Sequence, residues 1–359
     1  MTSSSFEPIR IGISLGNTGN FQDGLGEFSM QLCSRLAARA NELRERHGIA
    51  LYFHLKEELF GVFGNDVSYL PVTRWQRWRH QQPESFALWH KLNQLNKTRP
   101  PEGTRQQIAT VHDLNFVYFK NGYSQWRDFR KLKQLLESTT HIVTISNYVR
   151  DDVLKILKWN KSISVIYNGA RDLKNSEQTP PKNWKQKNYF FHISRMTRSK
   201  NIQVILDLAK FWPEKNFVLA GPENKDTRGI RNLLEKEPLA NVELMLSISD
   251  AEKAWLYAHC DGFLFPSLTE GFGLPPIEAM HFGKPVFLSD RTCLPEIGGP
   301  WARYFHDFSP EKMQEIISQG IDELASKQHS IQKHAMRFNW DHCCDEYLKL
   351  YGKLINIDI

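Results

Sequence analysis

No stretch of the 359 residues approaches the roughly 18 consecutive apolar residues of a membrane-spanning helix. The opening MTSSSFEPIR has no apolar core of a secretory leader, so a cytoplasmic protein is expected. Cysteine is scarce. The five, Cys33, Cys260, Cys293, Cys343 and Cys344, are odd in number and show neither a disulfide framework nor Cys-x-x-Cys metal spacing, which predicts reduced, buried thiols. Short internal repeats and low-complexity tracts are absent, and charges of both signs are interspersed, which excludes a solenoid and a disordered chain.

What is present points to a large globular protein. Length and a 41% hydrophobic fraction favour two cores over one. A net charge of +6 asks for an acidic partner, and nucleotide phosphate, nucleic acid and anionic lipid all meet that description. Ten tryptophans add flat amphipathic surface suited to sugars and membrane interfaces.

Along the chain, short β-type runs alternate with helical spacing. Ile9 to Leu15 is a strand that runs into Gly16, Gly19, Gly24 and Gly26, and Phe28 to Ala40 has helical period. Residues 50–70, including FGVFG, read as strands of the same sheet. Ile108 to Phe116 is a strand bearing His112 and Asp113, at the end where α/β sheets present chemistry. Asp172 to Asn188, with Pro180 and Pro181, has almost no apolar period and reads as a linker. Beyond it the alternation restarts with YFFHIS. The expected division is a first domain over 1–171, a linker over 172–188, a second domain over 189–337 and a terminal helix over 338–359. Such alternation implies parallel sheets covered on both faces.

Ser267 to Met280, SLTEGFGLPPIEAM, concentrates the chemistry. Glu270 and Glu278 bracket Gly271, Phe272, Gly273 and Leu274, and Pro275 and Pro276 lead into a helix. Glycines let a main chain approach a ligand, proline pre-sets the first turn, and a helix N-terminus favours an anion. Carboxylates beside it accept hydrogen bonds from paired hydroxyls. Glu278 complementing the helix dipole and Glu270 closing a strand would be the structural alternative.

Pro266 to Asp290, PSLTEGFGLPPIEAMHFGKPVFLSD, resembles the signature of the retaining glycosyltransferases of family 4, and shorter matches in the same order extend from about residue 10 to residue 350. The resemblance implies the GT-B fold, two Rossmann-like doubly wound parallel-sheet domains with an interdomain cleft and a C-terminal helix crossing back to the first. It also implies a nucleotide-sugar donor as substrate, with no cofactor. Its implied site has His112 reaching the transferred sugar with Asp113 orienting the ring, and Arg195 and Lys200 in SRMTRSKN neutralising the leaving diphosphate. Glu270 would hold sugar hydroxyls and Glu278 the ribose. Gly24, Gly26 and the Gly271, Phe272, Gly273 and Leu274 amides would hold the diphosphate and sugar. Asp-x-Asp, the divalent-metal clamp of the other large glycosyltransferase architecture, occurs nowhere, so metal-independent transfer of a hexose is expected.

The sequence departs from the family where Glu27 and Phe28 replace the usual Arg-Tyr, and where Ser247 stands for a usual glycine. Between Arg74 and Arg99, six basic residues face one acid, Glu84, with Trp75, Trp78 and Trp89 interleaved. Gln125 to Leu136 adds Arg127, Arg130, Lys131 and Lys133. Such surfaces suit an anionic bilayer, so Arg74, Arg77, Arg127 and Arg130 predict peripheral attachment to the inner leaflet. A glycan or lipid-linked acceptor in surface-polysaccharide or lipopolysaccharide assembly is then expected, and no nucleic acid. A solvated face is the other reading of these stretches. The alternatives in function are a nucleic-acid-binding protein, which leaves Glu270 and Glu278 unexplained, and a glycoside hydrolase, which requires acids opposed across a glycan.

Overall fold

The computed structural model describes residues 7–16, 24–119 and 122–359. Gly19 lies outside them. The chain forms two compact units, Met1–Gly169 with Asn339–Ile359, and Ala170–Phe338.

The first unit carries seven strands: β1 (Ile9–Ser14), β2 (Ile49–Leu55), β3 (Ser68–Pro71), β4 (Leu88–Lys91), β5 (Gln106–Val111), β6 (His141–Thr144) and β7 (Ser162–Val165), in the order β3-β2-β1-β4-β5-β6-β7. All neighbouring pairs are parallel, so every strand ends at the same edge. The second unit carries β8 (Tyr189–Ile193), β9 (Asn216–Gly221), β10 (Val242–Leu246), β11 (Gly262–Phe265), β12 (Val286–Ser289) and β13 (Arg303–Phe305), again all parallel, in the order β10-β9-β8-β11-β12-β13. Two Rossmann-like parallel sheets with helical crossovers make the GT-B class that the sequence implies.

Strand β4 corrects the reading of the basic, Trp-rich stretch. Trp89 and Lys91 lie in the sheet interior, not on a surface. Gly12 makes room for the indole in the neighbouring strand: a Cβ there would fall 2.0 Å from Trp89 Cε3. FGVFG is also not a strand. Phe60–Gly64 turns back on itself, with Gly61 and Gly64 at φ of 86° and 83°.

Residues 172–188 belong to the second unit and are anchored there. Leu173 is buried, Trp184 meets Tyr189 and Trp255 edge-on at 5.1 and 5.2 Å, and Thr179 N–H reaches the Ala251 carbonyl. Two isolated apolar anchors and one backbone hydrogen bond have no period to read, which is why the segment resembles a linker. The terminal helix Trp340–Ile355 lies in the first unit's core. Its Tyr347 and Tyr351 hydroxyls bond to Thr110 and His90 at 2.8 and 2.6 Å, and Asp341 and Asp345 pair with Arg35 and Arg39. All five cysteines are buried and unbridged. No helix among the described residues is long and apolar enough to cross a membrane.

Candidate active site

In the second unit, the ends of β8 and β11 bring two loops together. Leu268 N–H donates to Ser199 O at 2.7 Å, tying the segment that bears Glu270 to the one that bears Arg195 and Lys200. The Glu270–Gly273 turn is held from behind by the corner after β12. Thr292 Oγ1 accepts from Glu270 N–H at 3.1 Å, and Cys293 Sγ lies 3.4 and 3.2 Å from the Glu270 and Phe272 carbonyls. Ser289 Oγ bonds to Ser267 O. Gly273 stands at φ 95°, a conformation costly for any residue with a Cβ, and Leu294 leaves no space for one. The helix Leu274–His281 starts here, with Pro275 and Pro276 in its first turn, so Leu274 and Ile277 supply the N–H groups at this end.

Lys200 and Glu270 form an ion pair with side chains only 15% and 12% exposed. The ammonium also lies 5.4 Å from the centre of the Phe265 ring. His192 shapes the loop between them. Its Nδ1 donates to Leu264 O at 2.8 Å, so neutral Nε2 accepts from Ser194 Oγ at 2.8 Å, and Ser194 Oγ accepts from Met196 N–H. Burial holds this ring neutral, pushing its pKa down to about 4. Arg195 is exposed at the top of the same loop, its carbonyl bonded by Asn224 Nδ2.

Glu278 falls in the second turn of helix Leu274–His281 and is buried. Helix Asp250–His259 supplies both its partners: Lys253 Nζ donates to Oε1 at 2.8 Å and Tyr257 Oη to Oε2 at 2.9 Å. Burial and the adjacent carboxylate raise the Tyr257 pKa well above its ordinary value, keeping it a donor. Ser247, at φ 56°, explains the family's usual glycine: the position needs a left-handed backbone, which Ser247 adopts with its N–H on Gly221 O.

Thus the second unit gathers Glu270, Gly271, Phe272, Gly273, Leu274 and Glu278 along one loop and helix, with Lys200 paired to Glu270 from the adjoining loop that also bears Arg195. Sequence reading missed Lys253, Tyr257, Thr292 and the hydrogen-bonding role of Cys293.

In the first unit, His112 and Asp113 follow β5, whose last residue is Val111. Gln94 brackets them: its Oε1 accepts from His112 N–H at 3.1 Å and its Nε2 donates to Asp113 O at 2.9 Å. His112 Nε2 donates to Leu92 O at 2.8 Å, and Phe28 meets the ring edge-on at 4.7 Å. Leu92 O thus helps to orient the imidazole, and Asp113 Oδ1 accepts from Asn115 N–H. Gly24 and Gly26 lie inside the first turn of helix Gly24–Ala38 rather than in a loop before it. Arg74–Arg77 is a single 3-10 turn held to the sheet by buried Gln76, which bonds His54, Thr73 and Pro71. It presents Trp75 and Trp78 outward, 69% and 57% exposed. Arg127 and Arg130 are exposed on helix Gly122–Leu136, Arg130 lying over Trp126. Among the described residues no group of three His, Cys, Asp or Glu is placed to hold a metal ion.

The sequence profile of the glycosyl transferases of group 1 matches residues 174–338, which is nearly the whole second unit and includes the Lys200–Glu270 and Lys253–Glu278 pairs. The second unit is thus a domain of this glycosyltransferase family. The O-antigen chain mannosyltransferase RfbU of Salmonella typhimurium is 28% identical over 66% of this chain and 67% of its own length. The O-antigen chain mannosyltransferase B of Escherichia coli is 21% identical over 92% of this chain and 96% of its own. In fold, the glycosyltransferase is similar to a sucrose-phosphate synthase from Thermosynechococcus elongatus, with a TM-score of 0.71 at 17% identity over 97% of this chain and 99% of the other.

Proposed function

We propose that this glycosyltransferase moves a mannosyl residue from a nucleotide-diphosphate sugar, with retention at the anomeric carbon and without a metal ion, to a glycan or lipid-linked acceptor in surface-polysaccharide or lipopolysaccharide assembly. The observation that carries this reading is the loop and helix from Glu270 to Glu278. A glycine turn and a helix N-terminus suited to phosphate lie between two carboxylates, each paired with a lysine. The similarity to two O-antigen chain mannosyltransferases points to the sugar and the polymer.

Arg195 and Lys200 neutralise the departing diphosphate, assisted by the amides at the start of helix Leu274–His281. Glu270 takes sugar hydroxyls, Glu278 takes the ribose, and Gly24 and Gly26 let the backbone approach the donor. His112 contacts the transferred sugar. As the bond from the anomeric carbon to the phosphate oxygen breaks, the sugar becomes oxocarbenium-like. The acceptor oxygen attacks from the side that the diphosphate leaves, and the phosphate oxygen takes its proton. Both carboxylates sit along one loop and helix with lysine partners, an arrangement that favours this chemistry over glycoside hydrolysis. Metal independence rests on the missing Asp-x-Asp. Arg74, Arg77, Arg127 and Arg130, with Trp75, Trp78 and Trp126, would attach the enzyme to an anionic inner leaflet that bears the acceptor.

Thermal shift and turnover with GDP-mannose, UDP-glucose and dTDP-rhamnose in EDTA test the proposal. Stabilisation by GDP-mannose, lost in Glu278→Ala, is expected. Turnover abolished by EDTA and restored by a divalent cation would overturn the metal-free mechanism, and donor binding indifferent to Glu278 would overturn the site.

A further inference from the structure

Glu278 is placed to read a diol, but a carboxylate this buried reads one well only if both its oxygens are fixed and its charge is answered. Lys253 and Tyr257 do both. They are four residues apart, so they project from one face of helix Asp250–His259, and each donates to a different oxygen of Glu278. With one hydrogen bond on each oxygen, an ionised carboxylate keeps one acceptor direction on each, the pairing that two neighbouring hydroxyls require. Tyr257 has a packing role of its own: its ring stacks on Phe282 and meets Phe191 edge-on, and its hydroxyl also reaches Pro275 O. Lys253 differs. Its side chain remains 18% exposed, and its bond to Glu278 joins it to the site.

We propose that Lys253 is a positioning residue for the donor nucleotide, setting Glu278 so that its two oxygens accept the 2′- and 3′-hydroxyls of the ribose. The inference rests on the reading of Glu278 as the ribose carboxylate. Stability alone does not account for the pair, because a buried ion pair is often no better for folding than apolar side chains of the same size. A methionine at 253 would fill the space and leave Glu278 anchored at Oε2 alone, free to rotate about that bond. An arginine would restore a donor to Oε1.

The test uses the full chain and four probes: GDP and UDP, each beside its 2′,3′-dideoxy counterpart, titrated by calorimetry. In Lys253→Met, binding of the better ribose nucleotide should weaken about tenfold or more, the scale of losing a hydrogen bond to a charged group. Its dideoxy counterpart should change by less than about threefold, since it has no hydroxyls for Glu278 to hold. Lys253→Arg should recover most of the loss. In turnover, the donor KM should rise in Lys253→Met with little change in kcat. Equal weakening of both forms in Lys253→Met would mean general damage to the unit and would overturn the inference, as would unchanged binding of the ribose form. If Lys253→Met does not fold, Lys253→Gln, which keeps a donor without the charge, is read by the same ratio of ribose to dideoxy affinity. Glu278→Gln separates the two ideas: if it binds ribose and dideoxy nucleotides like the parent, the ribose reading itself fails. If it weakens only the ribose form and Lys253→Met weakens neither, only the role of Lys253 fails.

Discussion

Replacing Lys200 by methionine separates what its ion pair does for folding from what its charge does for transfer. Lys200 and Glu270 are 15% and 12% exposed, so deleting the ammonium strands a largely buried carboxylate, at a cost of about 3 kcal/mol. For a unit of this size that lowers the melting temperature by roughly 6–12 °C. Glu270→Gln alone strands the ammonium and should cost a similar amount. Together the two changes leave no unpaired charge, and the double variant should regain most of the loss, so the two costs should be far from additive. Activity should not follow. If Lys200 neutralises the leaving diphosphate, turnover falls about 100- to 1000-fold in Lys200→Met and stays down in the double variant. Calorimetric melting and initial-rate transfer on the same preparations read both quantities. A double variant that recovers turnover along with stability would refute the reasoning, because the pair would then be a fastening of the loop and not part of the chemistry.

Acid should weaken both units. Burial pushes the pKa of His54 in the first unit and His192 in the second down to about 4, so both rings are neutral in the fold while the unfolded chain protonates below about 6.5. The unfolded state binds more protons in that window, so stability present above pH 6.5 is lost as pH falls toward 4, by about 3 kcal/mol for His54 alone. Urea unfolding at pH 7 and pH 5 should show the loss, and His54→Gln should make the first unit's dependence shallower; an unchanged slope would contradict it. At the surface, Trp75→Ala combined with Arg74→Gln and Arg77→Gln should leave folding within about 0.5 kcal/mol, since these side chains are exposed. The same variant should weaken flotation with anionic vesicles by about tenfold or more, at ~1 kcal/mol per arginine. Undiminished flotation would remove this turn from any membrane role.

Strand-and-helix alternation announced the parallel sheets because strands buried on both faces are short, nearly continuous apolar runs. YFFHI and GFLF could be located from composition alone. Leu88–Lys91 could not, since LWHK carries two polar residues whose partners are distant: His90 bonds Thr110 and Tyr351, and Lys91 donates to Leu135 O. The turn of the site was legible for a local reason, that Glu-Gly-x-Gly-x-Pro-Pro fixes a left-handed glycine and a helix start within a few residues. The supports of that turn were not. Thr292 and Cys293 lie some twenty residues on and meet it only through the sheet. Lys253 reads as an ordinary charge in a helix opened by a Ser249–Glu252 capping box, and nothing nearby in sequence says that it faces Glu278.

The two lysine–carboxylate pairs are alike in contacts and differ in consequence. A lone ammonium in a narrow site would have to be ordered when the substrate arrives, and a long side chain loses up to ~2 kcal/mol of rotamer freedom in that step. Paired with Glu270, Lys200 has that freedom removed in advance, and on its proposed role a diphosphate entering beside it would meet a cation already aimed. Glu270 retains further acceptor positions, so holding the lysine does not exclude holding a sugar hydroxyl. At Glu278 the roles reverse: the carboxylate is the group that needs aiming, and the lysine is its fixture. On the proposed roles, one pair would order a cation for phosphate and the other an anion for hydroxyls. The same ion-pair chemistry would then serve the diphosphate and the ribose of the donor along the run from Glu270 to Glu278.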